Sequence, residues 1–470
     1  MSTTEPESLT KLLDDQRSAF LREGPPTLAQ RREHLDQLAR SILGHRDKLA
    51  AAISEDFGHR SQQETWSLEL MPVVHGIRHI QSHLKKWMRP ERRHVETTFW
   101  LGSNRVIYQP LGVIGIISPW NYPVALALMP LATALAAGNR AMMKPSELTP
   151  ATSALMDKML REIFAEDRVA VVAGDATLAA VFSSLPFDHL LFTGSTAVGR
   201  KIMRSASENL VPVTLELGGK SPAIIGRGSS LKRAAHSIAW GKLANAGQTC
   251  IAPDYVLVAE EELEDFISHF LSEVADLYPE IATNPDYTTI INDHHYQRLA
   301  GLLDDARAKG ARIRETGGTS AGRTHPRTFL PVVVSCLTDE MAVAREEIFG
   351  PILPVMPYRT IEDAIDYINA RPRPLALYHF GSNDHDRRQV MERTTSGGVA
   401  FDDTLLHYAQ DDLPFGGVGA SGMGAYHGHD GFKTLSHAKG VFEQSTVNGM
   451  DLIRPPFGKW FDVAMKWLLR

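Results

Sequence analysis

Apolar residues in the N-terminal part of the chain recur with a helical period. One face of the segment TLAQRREHLDQLARSIL carries four of them: Leu28, Leu35, Leu38 and Ile42. Thr27 and Gln30 have the spacing of a capping box at its start. The segment ELMPVVHGIRHIQSHLKKWM extends the helical period to Met88. The pattern therefore predicts a helical region ahead of the first strands.

The hydrophobic period changes in the segment FWLGSNRVIYQPLG. Val106 and Tyr108 alternate there with polar residues, and Gly and Pro bound the segment. Because this alternation is typical of strands, we predict a strand pair over residues 97–110. The later segment HAKGVFEQSTV is predicted to be a strand that pairs with it.

Strands and helices alternate from residue 111 onwards. The apolar segments predicted as strands are LGVIGIIS, RAMMK, VAVVAG, DHLLFTG, VPVTLELGG, PAIIG and DYVLVAE. One predicted helix starts at Val124, and another has Thr149 as N-cap and Pro150 in its first turn. This alternation is typical of parallel sheets that helices cover on both faces. It predicts two α/β units that meet near Leu217.

Composition and charge narrow the functional classes. The 470 residues are 43% hydrophobic and carry a net charge of −6 without a basic block, so no nucleic-acid partner is expected. Two cysteines cannot form a disulfide framework, and the N-terminal MSTTEPESLTKLL lacks the pattern of a signal peptide. The longest apolar run, Val124–Ala137, is too short to span a bilayer. We therefore expect a cytoplasmic protein.

The C-terminal segment PFGKWFDVAMKWLLR is amphipathic. Six apolar residues fall at helical spacing: Phe457, Trp460, Phe461, Ala464, Trp467 and Leu468. Lys459, Lys466 and Arg470 lie outside this stripe. Such a helix suits reversible contact with a membrane surface, packing on a partner subunit or a position over a substrate entrance, and the sequence leaves the three open.

Chemically reactive residue types lie where predicted strands end. Asn121 follows the first strand of the α/β series, Lys144 ends the second, and FTGSTAVG opens a helix after a later one. Glu216 lies in a further strand, and Cys250 lies in the turn-forming segment NAGQTCIAP. Parallel α/β sheets bind ligands at the carboxyl ends of their strands, so these residues are candidates for one site. Each alone also suits a structural role, as a turn asparagine, a glycine turn, a paired carboxylate or a buried thiol.

Nineteen histidines raise the question of metal binding. The densest segments are DHHY, with His294 and His295, and YHGHDG, with His427 and His429. Neither has the ligand spacing of a recognised site, so no metal is predicted.

Six motifs, in order and at similar spacing, resemble the aldehyde dehydrogenase family. They are PLGVIGIISPWNYP, NRAMMKPSE, FTGS, LELGGKSP, AGQTC and EEIFGPIL. The segment PFGGVGASGMGAYHGHDGFKTLSH is similar to the class 3 branch, and DFGHRS with HLKKWMRPERRHV to the coniferyl aldehyde dehydrogenase subgroup. The resemblance implies an α/β fold with four parts. These are a Rossmann-like dinucleotide-binding domain (1–96 and 111–216), an α/β catalytic domain (217–400), oligomerisation strands (97–110 and 430–450) and an amphipathic tail (451–470).

The resemblance implies NAD(P)-dependent oxidation of an aldehyde to a carboxylic acid. Cys250 matches the nucleophile, Asn121 the hydrogen-bond donor to the oxyanion, and Glu216 the base that activates water to cleave the thioester. A carboxylate at position 216 favours hydrolysis over transfer to coenzyme A. An acyl-coenzyme-A-forming enzyme and a non-catalytic dinucleotide-binding scaffold are the alternatives. We further hypothesise that Lys220 stabilises the Cys250 thiolate, and we predict that Cys336 is structural.

Cofactor and substrate positions follow from the same motifs. The residues that match cofactor contacts are Ile117, Ser118, Pro119, Trp120, Lys144, Glu147, Gly174, Phe192, Thr193, Gly194, Ser195, Val198, Leu217, Glu347 and Phe349. Glu147 would accept hydrogen bonds from both ribose hydroxyls and repel a 2′-phosphate, which favours NAD and leaves NADP open. The residues expected to face the substrate are Trp120, Tyr122, Thr249 and His427. The expected substrate is an aromatic aldehyde such as coniferyl aldehyde, or a medium-chain aliphatic one, and the expected assembly is a homodimer.

Overall fold

The computed structural model describes residues 6–96, 99–316, 323–448, 450 and 454–469. The α-helices are α1 (Pro6–Glu23), α2 (Leu28–Gly44), α3 (Arg46–Phe57), α4 (Gln62–Thr65), α5 (Met71–Trp87), α6 (Ala125–Ala137), α7 (Pro150–Arg161), α8 (Ala176–Ser183), α9 (Thr196–Ser207), α10 (Leu231–Leu243), α11 (Leu263–Leu277), α12 (Asp293–Ala308), α13 (Ala342–Arg345), α14 (Ile361–Asn369), α15 (Asp384–Arg393), α16 (Gly428–Thr434) and α17 (Lys459–Leu468). The strands are β1 (Glu91–Arg93), β2 (Ser103–Pro110), β3 (Val113–Ile117), β4 (Arg140–Lys144), β5 (Val169–Val171), β6 (His189–Gly194), β7 (Val213–Leu217), β8 (Pro222–Ile225), β9 (Tyr255–Ala259), β10 (Arg312–Glu315), β11 (Val332–Ser335), β12 (Ile352–Tyr358), β13 (Ala376–Phe380), β14 (Gly398–Phe401), β15 (Gly422–Met423) and β16 (Ser436–Glu443).

The N-terminal helices confirm the helical period of the sequence. Thr27 and Gln30 form both halves of a capping box at the start of α2. Leu35, Leu38 and Ile42 on α2 are fully buried in the largest core cluster, to which α5 and α6 also contribute. The apolar face of α2 is therefore fixed by tertiary packing, as the pattern predicts.

The six-stranded sheet has the order β15-β7-β6-β3-β4-β5. Its neighbouring strands are parallel except for β15, which is antiparallel to β7. The central strand β3 is buried along its whole length, as expected of a strand with helices on both faces. The predicted strand–helix alternation is therefore confirmed in this part of the chain.

The seven-stranded sheet has the order β10-β11-β12-β9-β8-β13-β14. Its strands are parallel except for the antiparallel pair of β10 and β11. The chain passes from the six-stranded to the seven-stranded sheet within residues 218–221. The crossing lies next to Leu217, where the sequence pattern places the boundary between the two α/β units, and that boundary stays a prediction.

A three-stranded antiparallel sheet joins β2 to β1 on one side and to β16 on the other. The pairing of the C-terminal strand with β2 is as predicted. The strand pair predicted within 97–110 is wrong, although residues 97 and 98 lie outside the described residues. Phe99 to Gly102 form a tight turn instead, in which the Gly102 N–H donates to the Phe99 carbonyl at 2.7 Å, and the second partner of β2 is β1.

Helix α6 is buried along its whole length, and buried charges cap both of its ends. At the N-terminus, Glu69 Oε2 accepts hydrogen bonds from the backbone N–H groups of Val124 and Ala125 at 2.8 and 3.1 Å. At the C-terminus, Arg31 Nη1 donates to the carbonyl of Ala136 at 2.9 Å. Both contacts satisfy backbone groups that a helix leaves unpaired and complement its dipole.

The C-terminal helix α17 leaves its apolar side chains in solvent. Trp460 and Trp467 are each 73% exposed, and Val463 between them is 58% exposed. The predicted amphipathic tail is thus a helix over residues 459–468. Within the described residues, the structure contains no helix with the length and apolarity that a membrane crossing requires.

Candidate active site

Cys250 lies between α10 and β9, just after three residues with left-handed backbone. Asn245, Ala246 and Gly247 have φ angles of 53°, 52° and 76°. A Cβ atom on Gly247 would lie 2.4 Å from the Gly350 carbonyl oxygen, so this position requires glycine. Strained backbone persists only where its surroundings hold it, and it is common at functional sites.

Side-chain amides hold this loop in one conformation. Asn245 Nδ2 donates to the carbonyl oxygens of Asn121 and Gln248 at 2.9 and 3.1 Å. Gln248 Nε2 donates to the carbonyl oxygens of Asn245 and Thr289 at 2.9 and 3.1 Å, and its Oε1 accepts from the Ile291 N–H at 3.0 Å. Because all these groups are buried, breaking any one bond would leave an unpaired polar group.

Glu216 is buried near the carboxyl end of β7 and faces Cys250. The Cys250 thiol donates to Glu216 Oε1 with Sγ and oxygen 3.4 Å apart. Glu216 Oε2 accepts hydrogen bonds from the hydroxyls of Thr193 and Tyr426 at 3.2 and 3.4 Å. Burial raises the pKa of Glu216 to about 7, and the three hydrogen bonds oppose that rise. A carboxyl group with this pKa can both accept and release a proton near neutral pH.

The pKa of the Cys250 thiol is raised well above its ordinary value. Burial is the largest cause, followed by the negative charges of Glu216 and Glu347. The two carboxylates therefore favour the thiol over the thiolate. Any group that removes one of these charges, or adds a positive charge beside the sulfur, lowers the pKa of the thiol.

The ammonium group of Lys220 is held by other partners. It pairs with the Asp254 carboxylate and donates to the carbonyl oxygens of Val343 and Glu346 at 2.8 Å each. None of these contacts joins it to the Cys250 thiol, so stabilisation of the thiolate by Lys220 stays a hypothesis.

Asn121 follows β3 and reaches the loop that carries Cys250. Its Nδ2 donates to the Gln248 carbonyl at 3.1 Å, which leaves the second amide N–H without a partner among the described residues. Its own carbonyl accepts from Arg60 Nη1 at 3.1 Å, and buried Arg60 pairs with Glu69 at 2.8 Å. The Asn121 amide is therefore fixed in place with one N–H group available as a donor.

A cavity of about 220 Å³, here called the sheet-edge cavity, lies at the carboxyl ends of β3, β6 and β7. Its lining residues are Pro119, Trp120, Asn121, Leu126, Thr193, Gly194, Ser195, Glu216, Leu217, Gly218, Cys250, His295, Arg298, Glu347 and Phe349. The cavity brings together most of the predicted cofactor residues and all three predicted catalytic ones. Its position is where parallel α/β sheets bind ligands.

Gly218 and Glu347 shape the sheet-edge cavity for a bound ligand. A Cβ atom on Gly218 would lie 2.2 Å from the Glu347 carboxylate, so a larger residue there would displace that carboxylate from its present position. Burial raises the pKa of Glu347 to about 7. A carboxylate at a cavity wall accepts hydrogen bonds from hydroxyls such as those of a ribose, which fits the dinucleotide that the motifs predict.

A second cavity, of about 210 Å³, lies beside the ends of β4 and β5. Its lining includes Glu147 and Gly174, both predicted to contact the adenosine half of a dinucleotide. Lys144 Nζ pairs with Glu147 at 2.7 Å. The other five predicted cofactor residues line neither cavity: Ile117, Ser118, Lys144 and Phe192 are buried, and Val198 is exposed in the first turn of α9.

A third cavity, of about 340 Å³, here called the apolar cavity, is lined by Ser67, Leu68, Met71, Pro72, Tyr122, Leu126, Trp240, Thr249, Cys250, Ile251, Leu405, Leu406, Tyr408 and Ala409. Tyr122 and Thr249, both predicted to face the substrate, line this cavity, and their hydroxyl oxygens are hydrogen-bonded at 2.7 Å. Within the described residues, its wall contains no charged side chain. Cys250 and Leu126 line both this cavity and the sheet-edge cavity, so the thiol lies where the two meet.

Two residues predicted to face the substrate lie elsewhere. Trp120 lines the sheet-edge cavity, where its ring packs on Phe349 with centroids 5.5 Å apart. His427 is buried behind the Tyr408 ring, with centroids 4.9 Å apart, and lines neither cavity. Burial lowers the pKa of His427 to about 3, so it is neutral.

Cys336 also differs from its prediction. Strand β11 ends at Ser335, and Cys336 is an exposed residue with a φ angle of 58° in the turn that follows. It therefore does not contribute to a buried strand.

Several lining residues were not predicted, because they come from helices remote in sequence from the motifs. His295 and Arg298 on α12 line the sheet-edge cavity, and Arg298 Nη1 donates to the Glu347 carbonyl at 3.2 Å. Ser67 and Leu68 lie in a π-helical segment, Trp66–Leu70, of a kind frequent at functional sites. No group of three or more His, Cys, Asp or Glu residues in the described part of the chain could hold a metal ion.

Comparisons with known proteins agree with this geometry. The model of the aldehyde dehydrogenase family matches residues 2–441. The chain is 52% identical over 458 residues to the probable coniferyl aldehyde dehydrogenase of Pseudomonas aeruginosa, with 97% of this chain and 95% of that protein covered. It is 48% identical over 456 residues to the coniferyl aldehyde dehydrogenase of a Pseudomonas sp. strain, with 96% and 94% covered.

A solved structure described as a substrate-bound state of Staphylococcus aureus AldH matches the fold with a TM-score of 0.91. Its sequence is 35% identical, and the match covers 97% of this chain and 99% of that one. The chain therefore belongs to the aldehyde dehydrogenase family, and it is an NAD(P)-dependent oxidoreductase that acts on aldehydes.

Proposed function

We propose that Cys250 is the nucleophile of this aldehyde dehydrogenase. The observation that carries the proposal is the position of its thiol, which lines both the sheet-edge cavity and the apolar cavity and lies 3.4 Å from Glu216. The Glu216 carboxylate takes up the thiol proton, and the sulfur attacks the carbonyl carbon of an aldehyde in the apolar cavity. A carbon–sulfur bond forms, and the carbonyl oxygen becomes an oxyanion.

Asn121 is proposed to stabilise that oxyanion. Its amide is fixed by one hydrogen bond to Gln248 and by the anchoring of its backbone to Arg60, so its second N–H group is already oriented. A preorganised donor needs little reorganisation when charge develops on the oxygen. The expected contribution of one such donor is about 2.7–4 kcal/mol of transition-state stabilisation.

The sheet-edge cavity is proposed to hold the nicotinamide half of NAD(P), and the cavity beside Glu147 the adenosine half. Bound there, NAD(P)⁺ supplies the acceptor for the hydride that leaves the tetrahedral carbon with its electron pair. Glu347 positions ribose hydroxyls, and Phe349 and Trp120 form apolar walls. Glu147, paired with Lys144, accepts from ribose hydroxyls and disfavours a 2′-phosphate, so NAD is the preferred cofactor.

Glu216 is proposed to complete the reaction by hydrolysis. Loss of hydride leaves a thioester on Cys250. Glu216 removes a proton from a water molecule, the water oxygen attacks the thioester carbon, and the carbon–sulfur bond breaks. The products are a carboxylic acid and the free thiol, and the raised pKa of Glu216 suits it to both proton transfers.

The proposed substrate is an uncharged aromatic aldehyde of the coniferyl aldehyde type. Two relatives with about half of their residues identical bear that name, and the apolar cavity of about 340 Å³ is walled in part by Tyr122, Trp240 and Tyr408. Aromatic walls favour a planar conjugated substrate over a flexible alkyl chain.

A substrate panel tests this proposal. We expect kcat/KM for coniferyl aldehyde to exceed that for hexanal by about tenfold, the size of effect that apolar pocket contacts provide. NAD should give a higher kcat/KM than NADP. Preference for hexanal would contradict the proposed substrate class, and preference for NADP would contradict the role of Glu147.

The chain is further proposed to form a homodimer through the three-stranded sheet. β16 is the edge strand of that sheet, and most of its residues are exposed, with Phe442 51% exposed. An unpaired exposed edge is a template for strand pairing with another chain. A mass in solution of twice 51.9 kDa is expected, and a monomer at micromolar concentration would contradict the proposal.

The tail helix α17 is proposed to contact an anionic membrane surface reversibly. Trp460, Val463 and Trp467 form an exposed apolar face, and Lys459 and Lys466 lie on the same helix. Removing residues 455–470 is expected to reduce co-sedimentation with phosphatidylglycerol vesicles at least about fivefold, since apolar burial and charge both contribute to interfacial binding. Phosphatidylcholine vesicles are the control, and co-sedimentation that survives the truncation would contradict the proposal.

A further inference from the structure

A wider and more polar space lies beside the apolar cavity. This outer cavity of about 450 Å³, here called the vestibule, shares Ser67, Leu68 and Trp240 with the apolar cavity. Cys250 lines the apolar cavity but not the vestibule. An aldehyde with its carbonyl carbon at the sulfur therefore directs its far end towards the vestibule.

The charges of the vestibule are of one sign. Glu64 and Asp286 line it, and within the described residues neither the vestibule nor the apolar cavity is lined by a lysine, arginine or histidine. Buried Arg60 lies behind the wall, with its Nε 3.6 Å from Glu64, but it also pairs with Glu69 at 2.8 Å. One arginine thus faces two glutamates, and Asp286 adds a further negative charge.

The negative charges of these carboxylates act on a tyrosine that lines the vestibule. The charges of Glu64 and Asp286 both add to the rise in the pKa of Tyr278, which lines the vestibule and whose shift burial dominates. At Tyr122, which lines the apolar cavity, the positive charge of Arg60 lowers the pKa more than the negative charge of Glu64 raises it, and burial remains the largest cause of the raised pKa. The carboxylate field therefore acts mainly in the vestibule, where no cation lines the wall within the described residues.

We propose that this acidic vestibule is a selectivity element that discriminates against aldehydes carrying a carboxylate at their far end, and that Asp286 is the residue most responsible. This inference rests on the proposed attack by Cys250 at the inner end of the channel. A substrate carboxylate would leave water for an apolar channel and face two like charges without a cation to pair with. The same repulsion opposes rebinding of the carboxylate product.

Asp286 is the residue to change because it contributes a negative charge to the vestibule and makes few contacts that hold the structure. It is exposed, and its Oδ1 accepts one hydrogen bond from the Ser61 hydroxyl at 3.3 Å, which an asparagine oxygen can also accept. Glu64, in contrast, holds the loop before Cys250 by accepting from the Asn245 N–H and the Thr288 hydroxyl. Replacing Glu64 would therefore remove a charge and disturb the loop before Cys250 at the same time, and the two effects on activity could not be separated.

The test compares two aldehydes of nearly equal size, 4-formylbenzoate and 4-formylbenzamide. In the unmodified enzyme with NAD, we expect kcat/KM for the benzoate to be at least about tenfold lower than for the benzamide, from the combined field and desolvation costs. The ratio of kcat/KM for the benzamide to kcat/KM for the benzoate should fall about threefold in Asp286→Asn and about tenfold in Asp286→Lys. The main cause should be a lower KM for the benzoate. The intrinsic difference in aldehyde reactivity cancels when variants are compared with the unmodified enzyme.

Salt dependence and a control variant distinguish repulsion by the charge of Asp286 from an effect of the shape of the cavity. Raising the ionic strength from about 20 mM to about 500 mM should narrow the ratio in the unmodified enzyme and change it little in Asp286→Asn. Asp265→Asn, on an exposed turn of α11 twelve residues before Leu277, should leave the ratio unchanged. An equal ratio in Asp286→Asn and the unmodified enzyme, or a ratio independent of salt, would overturn the inference. Failure of the proposal that Cys250 is the nucleophile would be seen in a different measurement: a Cys250 variant would still oxidise 4-formylbenzamide.

Discussion

Replacing Cys250 by alanine is expected to lower kcat/KM for every aldehyde about 10⁴-fold or more, because it removes the atom that bonds to the substrate. Alanine is smaller than cysteine and keeps the backbone of the loop, which Asn245 and Gln248 hold through their own hydrogen bonds. The variant should therefore fold and bind NAD with unchanged affinity. Steady-state NADH production and NAD titration by fluorescence measure the two properties.

Cys336→Ala is the matched control for Cys250→Ala. Cys336 is the only other cysteine, and it is exposed in the turn after β11. Its replacement should leave kcat/KM within about twofold, as is usual for exposed positions without a structural role. Substantial aldehyde oxidation by Cys250→Ala would refute the assignment of the nucleophile.

Replacing Glu216 by glutamine is expected to separate the two halves of the reaction. An amide oxygen at the Oε2 position can still accept from Thr193 and Tyr426, while the amide NH₂ group faces the sulfur. This change removes the carboxylate that accepts the thiol proton, but it also lowers the pKa of the Cys250 thiol, so the thiol can ionise to water and acylation should persist. Hydrolysis loses its base and should slow about 10²–10⁴-fold.

The expected signature of Glu216→Gln is a burst of one NADH per subunit followed by slow turnover. In the unmodified enzyme, the hydrolytic step should rise with pH through the pKa of Glu216 at about 7 and level off above it, because only the carboxylate accepts a proton from water. This rise should be absent in Glu216→Gln. Rapid-mixing absorbance traces between about pH 6 and pH 9 measure both features. A full steady-state rate without a burst would contradict the role given to Glu216.

The thiol itself provides an independent check on the electrostatics. Iodoacetamide reacts with the thiolate, so its rate follows ionisation of Cys250. Because the Glu216 carboxylate raises the pKa of that thiol, alkylation of Glu216→Gln should reach half its maximal rate at a lower pH than alkylation of the unmodified enzyme. This shift requires the two side chains to be close, as the 3.4 Å separation indicates.

The sequence carries enough information for the sheets and the reactive residues. Short, continuously apolar segments such as the one that forms β3 are typical of strands covered on both faces, and their alternation with helices predicts the parallel order. Asn121 and Glu216 lie close to strand ends, so the rule that ligands bind there brings them together. The AGQTC motif indicates that the Cys250 thiol belongs to the same site.

The walls of the cavities were harder to predict, because they depend on packing between helices distant in sequence. Trp240 and Leu68 line the apolar cavity although neither belongs to a motif, and no periodicity indicates which face of a helix borders a void. His427 is the converse case, since it belongs to a family motif, while its ring packs against Tyr408 and does not line the apolar cavity. Sequence proximity likewise did not reveal that Lys220 pairs with Asp254.

The central claim is that an acyl group passes through the sulfur of Cys250 between the two cavities. The most direct measurement is mass spectrometry of Glu216→Gln after mixing with coniferyl aldehyde and NAD, followed by peptide mapping. The account predicts one acyl group per chain, with a mass equal to that of the aldehyde less two hydrogens, attached to Cys250. Absence of the adduct despite NADH formation, or its attachment to Cys336 or another residue, would contradict it.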